Sequence, residues 1–325
     1  MSKPRVFVPD PIHADGLARL ASLFTVEAPK GQDAAARRRS FAEADAVVVR
    51  NAPMPAELLA GCPRLKVIAK HGAGVDNIDL AAATAEGIPV ANVPGGNADA
   101  VAEAAVALML AVLRRVPEVH RLVTHGQYQA RFELQFEQLW ERTVGLVGIG
   151  NIGARVARIC REGFRMRVLA HDPALNAAAI RERGAEPAES LEVLLAEADV
   201  VTLHVPLTPA SFHLIGREQL RRMKPTAILV NTARGGLVDG AALAEALREG
   251  RIGGAGLDVF EVEPPPADSP ILSAPNVVLS PHTAGNTVAA ARYLALASAD
   301  IAIAVISGNR PAGLLNAEMW DRRRR

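Results

Sequence analysis

Short runs of β-branched and apolar residues alternate with Ala- and Leu-rich helical segments along the whole chain. This alternation is typical of βαβ units, in which a crossover helix returns the chain to a parallel strand. The first group of predicted strands covers 5–8, 46–49, 66–69 and 89–91, with helices at 14–23, 34–42 and 80–85. The second group covers 144–147, 168–170, 200–203, 228–231, 254–258 and 277–279. The pattern predicts an α/β fold, and six strands of this kind suit a doubly wound nucleotide-binding sheet.

Length and charge narrow the class of partner. At 325 residues, half of them apolar, the chain is long enough for two domains with substantial cores. The 36 Lys and Arg residues nearly balance the 35 Asp and Glu residues, so no net field attracts nucleic acid or an anionic membrane. Small molecules are therefore the expected partners.

Metal, membrane and secretory functions are not expected. The two cysteines, Cys62 and Cys160, belong to no CxxC or Cys/His cluster, so no metal site is predicted. The apolar run 104–113 has about half of the roughly 20 residues that span a bilayer, which predicts a buried helix. The N-terminus lacks a signal-peptide hydrophobic region, so we expect a cytoplasmic protein.

Two helices and one tail lie outside the strand pattern. A long helix from residue 98 to about 125 is expected to connect two domains, with Pro117 kinking or breaking it. A second helical segment runs from 288 to 306 and is expected to return to the first domain. The terminal run Arg322 to Arg325 is expected to be a disordered, solvated tail.

A glycine turn between a strand and a helix predicts a dinucleotide site. Gly148 permits the tight turn, Gly150 lets the backbone approach a pyrophosphate, and Gly153 lets helix and strand pack closely. Asp172 follows the second strand at the position of a ribose-binding acid, where it favours NAD over NADP. A turn or helix cap at Asp172 is compatible with that role and would leave the choice of cofactor open.

Charged side chains follow three consecutive strands of the second group. Arg234 follows the strand 228–231, and its planar guanidinium suits a substrate carboxylate. The acids Asp258, Glu261 and Glu263 follow the strand at 254, and His282 follows the last strand. Ligands of open α/β sheets bind at these strand ends, and His is suited to proton transfer near neutral pH. The set predicts catalysis on a carboxylate-bearing substrate.

These stretches together closely resemble the D-2-hydroxyacid dehydrogenase family, which includes 3-phosphoglycerate dehydrogenases, glyoxylate/hydroxypyruvate reductases and D-lactate dehydrogenases. The resemblance covers nearly the whole chain. It is carried by HGAGVDNID at 71–79, GLVGIGNIG at 145–153, LHVPLT at 203–208, NTARGGLVD at 231–239, LDVFEVEP at 257–264 and SPHTAG at 280–285. It implies a Rossmann NAD-binding domain at 97–287, inserted into a flavodoxin-like substrate domain at 1–96 plus 288–325.

The resemblance also implies the roles of individual residues. Arg234, Glu263 and His282 are the implied catalytic set, with Glu263 rather than Glu261 as the acid because it stands immediately before Pro264. Implied cofactor contacts are Gly148, Gly150, Asn151, Ile152, Gly153, Asp172, His204, Val205, Pro206, Thr208, Thr232, Ala233, Arg234, Asp258, His282 and Asn97. Implied substrate contacts are His71, Arg234, His282 and the backbone N–H groups of Ala73 and Gly74.

Several alternatives remain. A small 2-oxo acid such as glyoxylate or hydroxypyruvate is favoured as substrate, with 3-phosphoglycerate as the alternative. Because related transcriptional corepressors keep this fold, an NAD(H)-sensing binding protein is a rival of another class. Glu263 argues against a formate-type dehydrogenase, whose relatives usually carry Gln there. A homodimer formed through the long helix from Ala98 is expected, and the length of the chain implies no regulatory extension.

Overall fold

The computed structural model describes residues 3–29, 31 and 33–324. The chain forms two compact units, one comprising Met1–Asn97 and Asn286–Arg325 and the other Ala98–Gly285. The boundaries expected from the sequence, at 96/97 and 287/288, fall within a few residues of these limits. Each unit is built on a parallel sheet of its own, with the order of strands given below.

Unit 1 (1–97 with 286–325) is a five-stranded parallel sheet in the order β2-β1-β3-β4-β5. This order is that of flavodoxin-like folds. Its strands are β1 Arg5–Phe7, β2 Thr25–Glu27, β3 Ala46–Val49, β4 Val67–Lys70 and β5 Val90–Ala91. Its helices are α1 Ala14–Ala21, α2 Ala34–Glu43, α3 Ala56–Ala60, α4 Leu80–Ala85 and the returning α12 Val288–Ile306.

Within the described residues, α12 is the one helix long and apolar enough to cross a membrane. Its mean hydropathy is 1.6 over 18 residues, 44% of which are buried. It packs against α1, β3 and β4. Leu294, Ala299 and Val305 of this helix belong to the same buried cluster as the strand residues Val6 and Val48. The apolar face of α12 is therefore part of the core of unit 1.

The C-terminal arginine run differs from the expected solvated tail. The backbone N–H of Arg324 donates to Gly87 O at 2.9 Å, and its guanidinium donates to Cys62 O at 2.7 Å and pairs with Glu86. The Arg323 guanidinium lies 3.8 Å from the centre of the Trp320 ring. The backbone carbonyls of Gly87 and Cys62 bind this segment to unit 1, whereas Arg325 lies outside the described residues.

Unit 2 (98–285) is a seven-stranded parallel sheet in the order β12-β11-β10-β9-β6-β7-β8. Read from β8, this is the Rossmann order with one further strand at the far edge. Its strands are β6 Thr143–Val147, β7 Arg167–His171, β8 Glu186–Pro187, β9 Val200–Leu203, β10 Ile228–Asn231, β11 Gly254–Leu257 and β12 Val277–Leu279. Its helices are α5 Ala98–Leu113, α6 Val116–Thr124, α7 Asn151–Phe164, α8 Ala177–Glu182, α9 Leu191–Glu197, α10 Arg217–Arg222 and α11 Gly240–Arg248.

The strands of this sheet are apolar on both faces, as parallel sheets covered by helices require. Val200, Ile228 and Val230 pack on one side, in the cluster that includes Met109 of α5 and Val156 of α7. Val201 and Leu229 pack on the other, with residues of α9 and α11. The strand order reverses between β6 and β9, and the crevice at this switch point is where Rossmann folds bind dinucleotides.

The connecting helix expected at 98–125 is two helices. Arg115 adopts a left-handed conformation (φ 47°) between α5 and α6, and Pro117 stands in the first turn of α6. Helix α5 packs on β10 and β11 of unit 2 so closely that a Cβ on Gly254 would come within 2.6 Å of Val112. The apolar residues of α5 are buried in this core, and the dimer expected through the long helix from Ala98 stays a prediction.

Candidate functional site

The glycine turn follows β6 at the switch point of the sheet. Gly148 has a φ of +93°, a conformation that a side chain rarely allows, and its N–H donates to His171 O at 2.9 Å. A Cβ on Gly153 would lie 2.3 Å from Gly148 O, so a glycine at 153 is what lets α7 start against the strand. Asn151 and Ile152 form the first turn of α7. The turn therefore has the geometry that a pyrophosphate-binding turn needs.

Space and unpaired polar atoms at the same strand ends fit a dinucleotide. A Cβ on Gly150 would meet nothing within 4 Å, so the backbone at this position faces open space. Thr232 Oγ1 and His204 Nδ1 are buried and have no hydrogen-bond partner within the described residues. Buried polar atoms are nearly always paired, so both atoms point to a ligand with its own donors and acceptors. The residues present fit a bound dinucleotide.

Asp172 lies beside the glycine turn and is half-buried. Its Oδ2 accepts a hydrogen bond from the Ile149 N–H at 3.0 Å, and its Oδ1 accepts one from the Ala174 N–H at 3.0 Å. The carboxylate therefore caps the turn, as one of the two interpretations of the sequence expected. It also places a negative charge at the end of β7, next to the dinucleotide turn.

The segment after β9 packs against the glycine turn. His204 Nε2 is 3.1 Å from Thr202 Oγ1, and burial lowers the pKa of His204 to about 4, so the ring is neutral. Val205 Cγ1 and the His204 carbonyl would both lie 2.9 Å from a Cβ on Gly148. Pro206 and Thr208 are exposed, and Thr208 Oγ1 contacts Ser211 Oγ at 3.1 Å.

The arginine loop follows β10 and is shaped by one buried amide. Asn231 Oδ1 accepts a hydrogen bond from Ala233 N–H at 3.0 Å, and its Nδ2 donates to Arg234 O at 2.8 Å. Arg234 is half-buried, and its Nη1 donates to Ala233 O at 2.7 Å. Asn231 was not singled out from the sequence, although a buried Asn at a strand end is a signal for such a cap.

The acid and the histidine meet in space. His282 Nδ1 lies 2.8 Å from Glu263 Oε2, with 52% and 37% of the two side chains exposed. Glu263 Oε1 accepts the Phe260 N–H at 3.0 Å, which fixes the other oxygen of the carboxylate. His282 Nε2 makes no hydrogen bond within the described residues, so this nitrogen is accessible to a substrate. Glu261 is instead 2.8 Å from His213 Nε2.

Asp258 holds the histidine loop. It is 1% exposed, and its carboxylate accepts hydrogen bonds from Ser280 Oγ at 2.6 Å and from the Thr283 and Ala284 N–H groups at 2.8 Å. Its carbonyl accepts the His282 N–H at 2.7 Å. The conformation of His282 is left-handed (φ 54°), and this network provides the restraint that such a conformation needs.

The arginine loop and the acid loop are in direct contact. A Cβ on Gly235 would lie 1.9 Å from the carbonyl carbon of Phe260, a distance at which no side chain fits. Arg234, Glu263 and His282 thus follow β10, β11 and β12, which are neighbours in the sheet. An arginine fork and a carboxylate-oriented imidazole at one sheet edge can bind a carboxylate and donate a proton.

The remaining substrate-site residues expected from the sequence lie in unit 1. His71 is buried after β4, both of its ring nitrogens lack a partner within the described residues, and burial beside Arg50 and Lys70 lowers its pKa to about 4. Ala73 is exposed and Gly74 half-buried in the following loop. Asn97, which was expected as a cofactor contact, is the last residue of the first stretch of unit 1. No group of three potential metal ligands occurs in 3–29, 31 and 33–324.

Comparison with known proteins places this chain in a family. Residues 106–284 match the family model of the D-isomer specific 2-hydroxyacid dehydrogenase NAD-binding domain. A glyoxylate reductase of Korarchaeum cryptofilum is 43% identical over 98% of this chain and 97% of that protein. A D-3-phosphoglycerate dehydrogenase of Methanocaldococcus jannaschii is 37% identical over 96% of this chain, which spans 59% of that longer protein.

A solved structure agrees with both the fold and the family. The NADPH-dependent glyoxylate/hydroxypyruvate reductase of Sinorhizobium meliloti, in complex with NADP and malonate, superposes with a TM-score of 0.87 at 32% identity and covers 100% of both chains. The chain therefore belongs to the D-isomer specific 2-hydroxyacid dehydrogenases, oxidoreductases that act on a CH–OH group and carry an NAD-binding domain.

Proposed function

We propose that this enzyme reduces small 2-oxo acids of the glyoxylate and hydroxypyruvate type to D-2-hydroxy acids, with NADH as the preferred reductant. The observation that carries the proposal is the 2.8 Å contact between Glu263 and His282, at the same sheet edge as Arg234. Relatives named glyoxylate reductase that match this chain over nearly its whole length support the substrate class.

Each of the three side chains has a role in this reaction. The Arg234 guanidinium binds the substrate carboxylate and polarises the 2-oxo group. His282 Nε2 donates a proton to the oxygen of that group as negative charge develops on it. Glu263 accepts the hydrogen bond of Nδ1, which orients the ring and stabilises the imidazolium form. A bound nicotinamide dinucleotide supplies the hydride that is added to C2 of the substrate.

Residues of unit 1 are assigned to the substrate. The backbone N–H groups of Ala73 and Gly74 make no hydrogen bond within the described residues and suit a carboxylate. Gly72 gives this loop its shape, with a φ of +136°. The neutral ring of His71, buried with two unpaired nitrogens, is assigned to a substrate contact.

The test is loss of NADH absorbance with a panel of 2-oxo acids. Glyoxylate and hydroxypyruvate are expected to turn over faster than phosphohydroxypyruvate, the oxidised form of 3-phosphoglycerate, which is the alternative substrate. His282→Ala is expected to lower kcat by at least about a hundredfold, since general acid catalysis contributes typically 10²–10⁴-fold. If NADH binds and no 2-oxo acid is reduced, the proposal is wrong.

We also propose a homodimer in the cytoplasm. Between α5 and β6, unit 2 exposes a group of large apolar side chains, namely Val116, Val123, Tyr128, Phe132, Phe136 and Trp140. Arg131 stacks over both Tyr128 and Phe132, at 4.4 and 4.6 Å from the ring centres. Exposed aromatic side chains of this kind are typical of protein interfaces. Size-exclusion chromatography with light scattering is expected to show a dimer, and Phe132→Asp to weaken it.

A further inference from the structure

A second histidine–glutamate pair lies between the loops that carry the catalytic residues. His213 Nε2 is 2.8 Å from Glu261 Oε1, and 33% and 41% of the two side chains are exposed. An exposed polar contact contributes only about 0–1 kcal/mol to stability, so stability alone gives no reason for this geometry. Its position within unit 2 suggests a different role.

The backbone of His213 is fixed to the arginine loop. Its N–H donates to Gly236 O at 2.8 Å, two residues after Arg234. Ile215 continues the contact, donating to Leu237 O at 3.0 Å and accepting the Asp239 N–H at 3.0 Å. The segment 213–215 therefore runs beside 236–239 as a short parallel bridge, which ties His213 to the arginine loop.

The side chain of His213 reaches the other loop. Glu261 stands two residues before Glu263 and directly follows Phe260, whose N–H binds the Glu263 carboxylate. The His213 ring is itself held, since it stacks on Phe212 with the centroids 4.0 Å apart and the planes at 19°. Its backbone is left-handed (φ 51°), a conformation that is uncommon outside glycine and tends to be kept at functional sites.

We propose that His213 is a positioning residue that holds the acid loop, through Glu261, at a fixed spacing from the arginine loop. The inference rests on the proposed reaction, in which Arg234 and Glu263 act on the same substrate. A displacement of about 1 Å in such a constellation can cost about a hundredfold in rate. Loss of the pair is therefore expected to affect kcat more than dinucleotide binding.

Two variants of His213 separate the role of its side chain from that of its backbone. His213→Gly removes the imidazole and tolerates the positive φ, whereas His213→Gln keeps an N–H donor near the position of Nε2. His213→Gly is expected to lower kcat roughly tenfold or more, with NADH affinity and the unfolding midpoint near those of the wild type. His213→Gln is expected to recover most of the rate. His120→Ala, which removes an exposed imidazole of α6, is the control and is expected to leave kcat unchanged.

Two further measurements decide the inference. Glu261→Ala combined with His213→Gly is expected to lower kcat no further than His213→Gly alone, because the two changes remove the same contact. The imidazole ¹⁵N resonances of His282 are expected to shift in His213→Gly and to return in His213→Gln. Unchanged kcat and unchanged His282 resonances in His213→Gly would overturn the inference. If the wild type reduces no 2-oxo acid, the proposed function fails, and the His282 resonances still test the positioning role.

Discussion

Asn231 is one buried side chain that sets the shape of the arginine loop, through an acceptor to Ala233 N–H and a donor to Arg234 O. In Asn231→Asp, one side-chain oxygen can still accept the Ala233 N–H. The other is a charged oxygen that replaces the Nδ2 donor and faces the Arg234 carbonyl. A lost hydrogen bond with a buried unpaired group costs about 1–3 kcal/mol. We expect kcat/KM for a 2-oxo acid to fall about tenfold or more, measured at saturating NADH.

The matched control makes the same chemical change at a helix cap. Asn176 accepts the Ala179 N–H at 2.9 Å as the N-cap of α8. An N-cap needs only an acceptor, and Asp serves there as well as Asn. Asn176→Asp should keep the activity of the wild type. Equal activity of both variants would show that the amide donor of Asn231 has no influence on Arg234.

Asp172 combines a structural role with a proposed cofactor preference. Asp172→Asn keeps one acceptor for the turn and removes the negative charge that disfavours a 2′-phosphate. We expect the ratio of kcat/KM for NADPH to that for NADH to rise about tenfold, which corresponds to about 1.4 kcal/mol. Asp239→Asn, at the N-cap of α11, is the control with the same charge change. A ratio that stays constant would reduce Asp172 to a cap.

At the scale of the element, the start of α7 can be tested without disturbing the fold. A Cβ on Gly150 or on Gly163 would meet nothing within 4 Å. Gly163 lies inside α7, where Ala is favoured over Gly by about 0.5–1 kcal/mol. Both Gly150→Ala and Gly163→Ala are therefore expected to fold.

Only Gly150→Ala should affect the dinucleotide, because its methyl group would occupy the space through which a pyrophosphate approaches the turn. We expect its NADH affinity, measured by fluorescence titration, to fall at least about tenfold. Gly163→Ala should bind NADH like the wild type. Normal NADH binding by Gly150→Ala would mean that the dinucleotide does not lie against this turn.

The sequence pattern predicted the strands that are apolar runs and missed those that are not. β3, β9 and β10 occupy the predicted ranges because buried apolar runs between helices leave little freedom in register. β2 and β8 were missed because Thr25–Glu27 and Glu186–Pro187 are not apolar runs, whereas the equally short edge strand β12 is one and was predicted. The break between α5 and α6 was predicted from Pro117, which stands in the first turn of α6, whereas the left-handed conformation of Arg115 was not predicted.

The candidate site, too, was predicted only in part from the sequence. Glu261 and Glu263 are equivalent by composition, and only the family pattern chose between them before the structure placed Glu263 on His282 and Glu261 on His213. The pairing depends on how β10, β11 and β12 align, which is a tertiary property. Asn231 was missed because it acts through the backbone of the arginine loop. His213 was missed because it contacts a loop that is distant in sequence.

At the scale of the whole molecule, the described part of each unit contains a buried neutral histidine. Burial lowers the pKa of His71 in unit 1 and of His204 in unit 2 to about 4, from an ordinary value of 6.5. A lowered folded-state pKa means that the unfolded chain binds protons first as the pH falls. The part of the free energy of unfolding that depends on these neutral rings is complete above about pH 6.5. It is lost as the pH falls from about 6.5 to about 4. For His71 it corresponds to at most about 3 kcal/mol.

Both units should therefore lose stability in the same pH window, and urea unfolding midpoints measured from about pH 8 to pH 4 test this. We expect the wild type to show a steep decline below about pH 6.5, and His71→Asn and His204→Asn each to show a shallower one. His125→Asn, which changes an exposed histidine, is the control and should follow the wild type. If stability declines as steeply in His71→Asn and His204→Asn as in the wild type, the acid sensitivity comes from carboxylates instead. Carboxylates that are paired in the folded state also reduce the stability of the protein when they are protonated, over an overlapping range of pH.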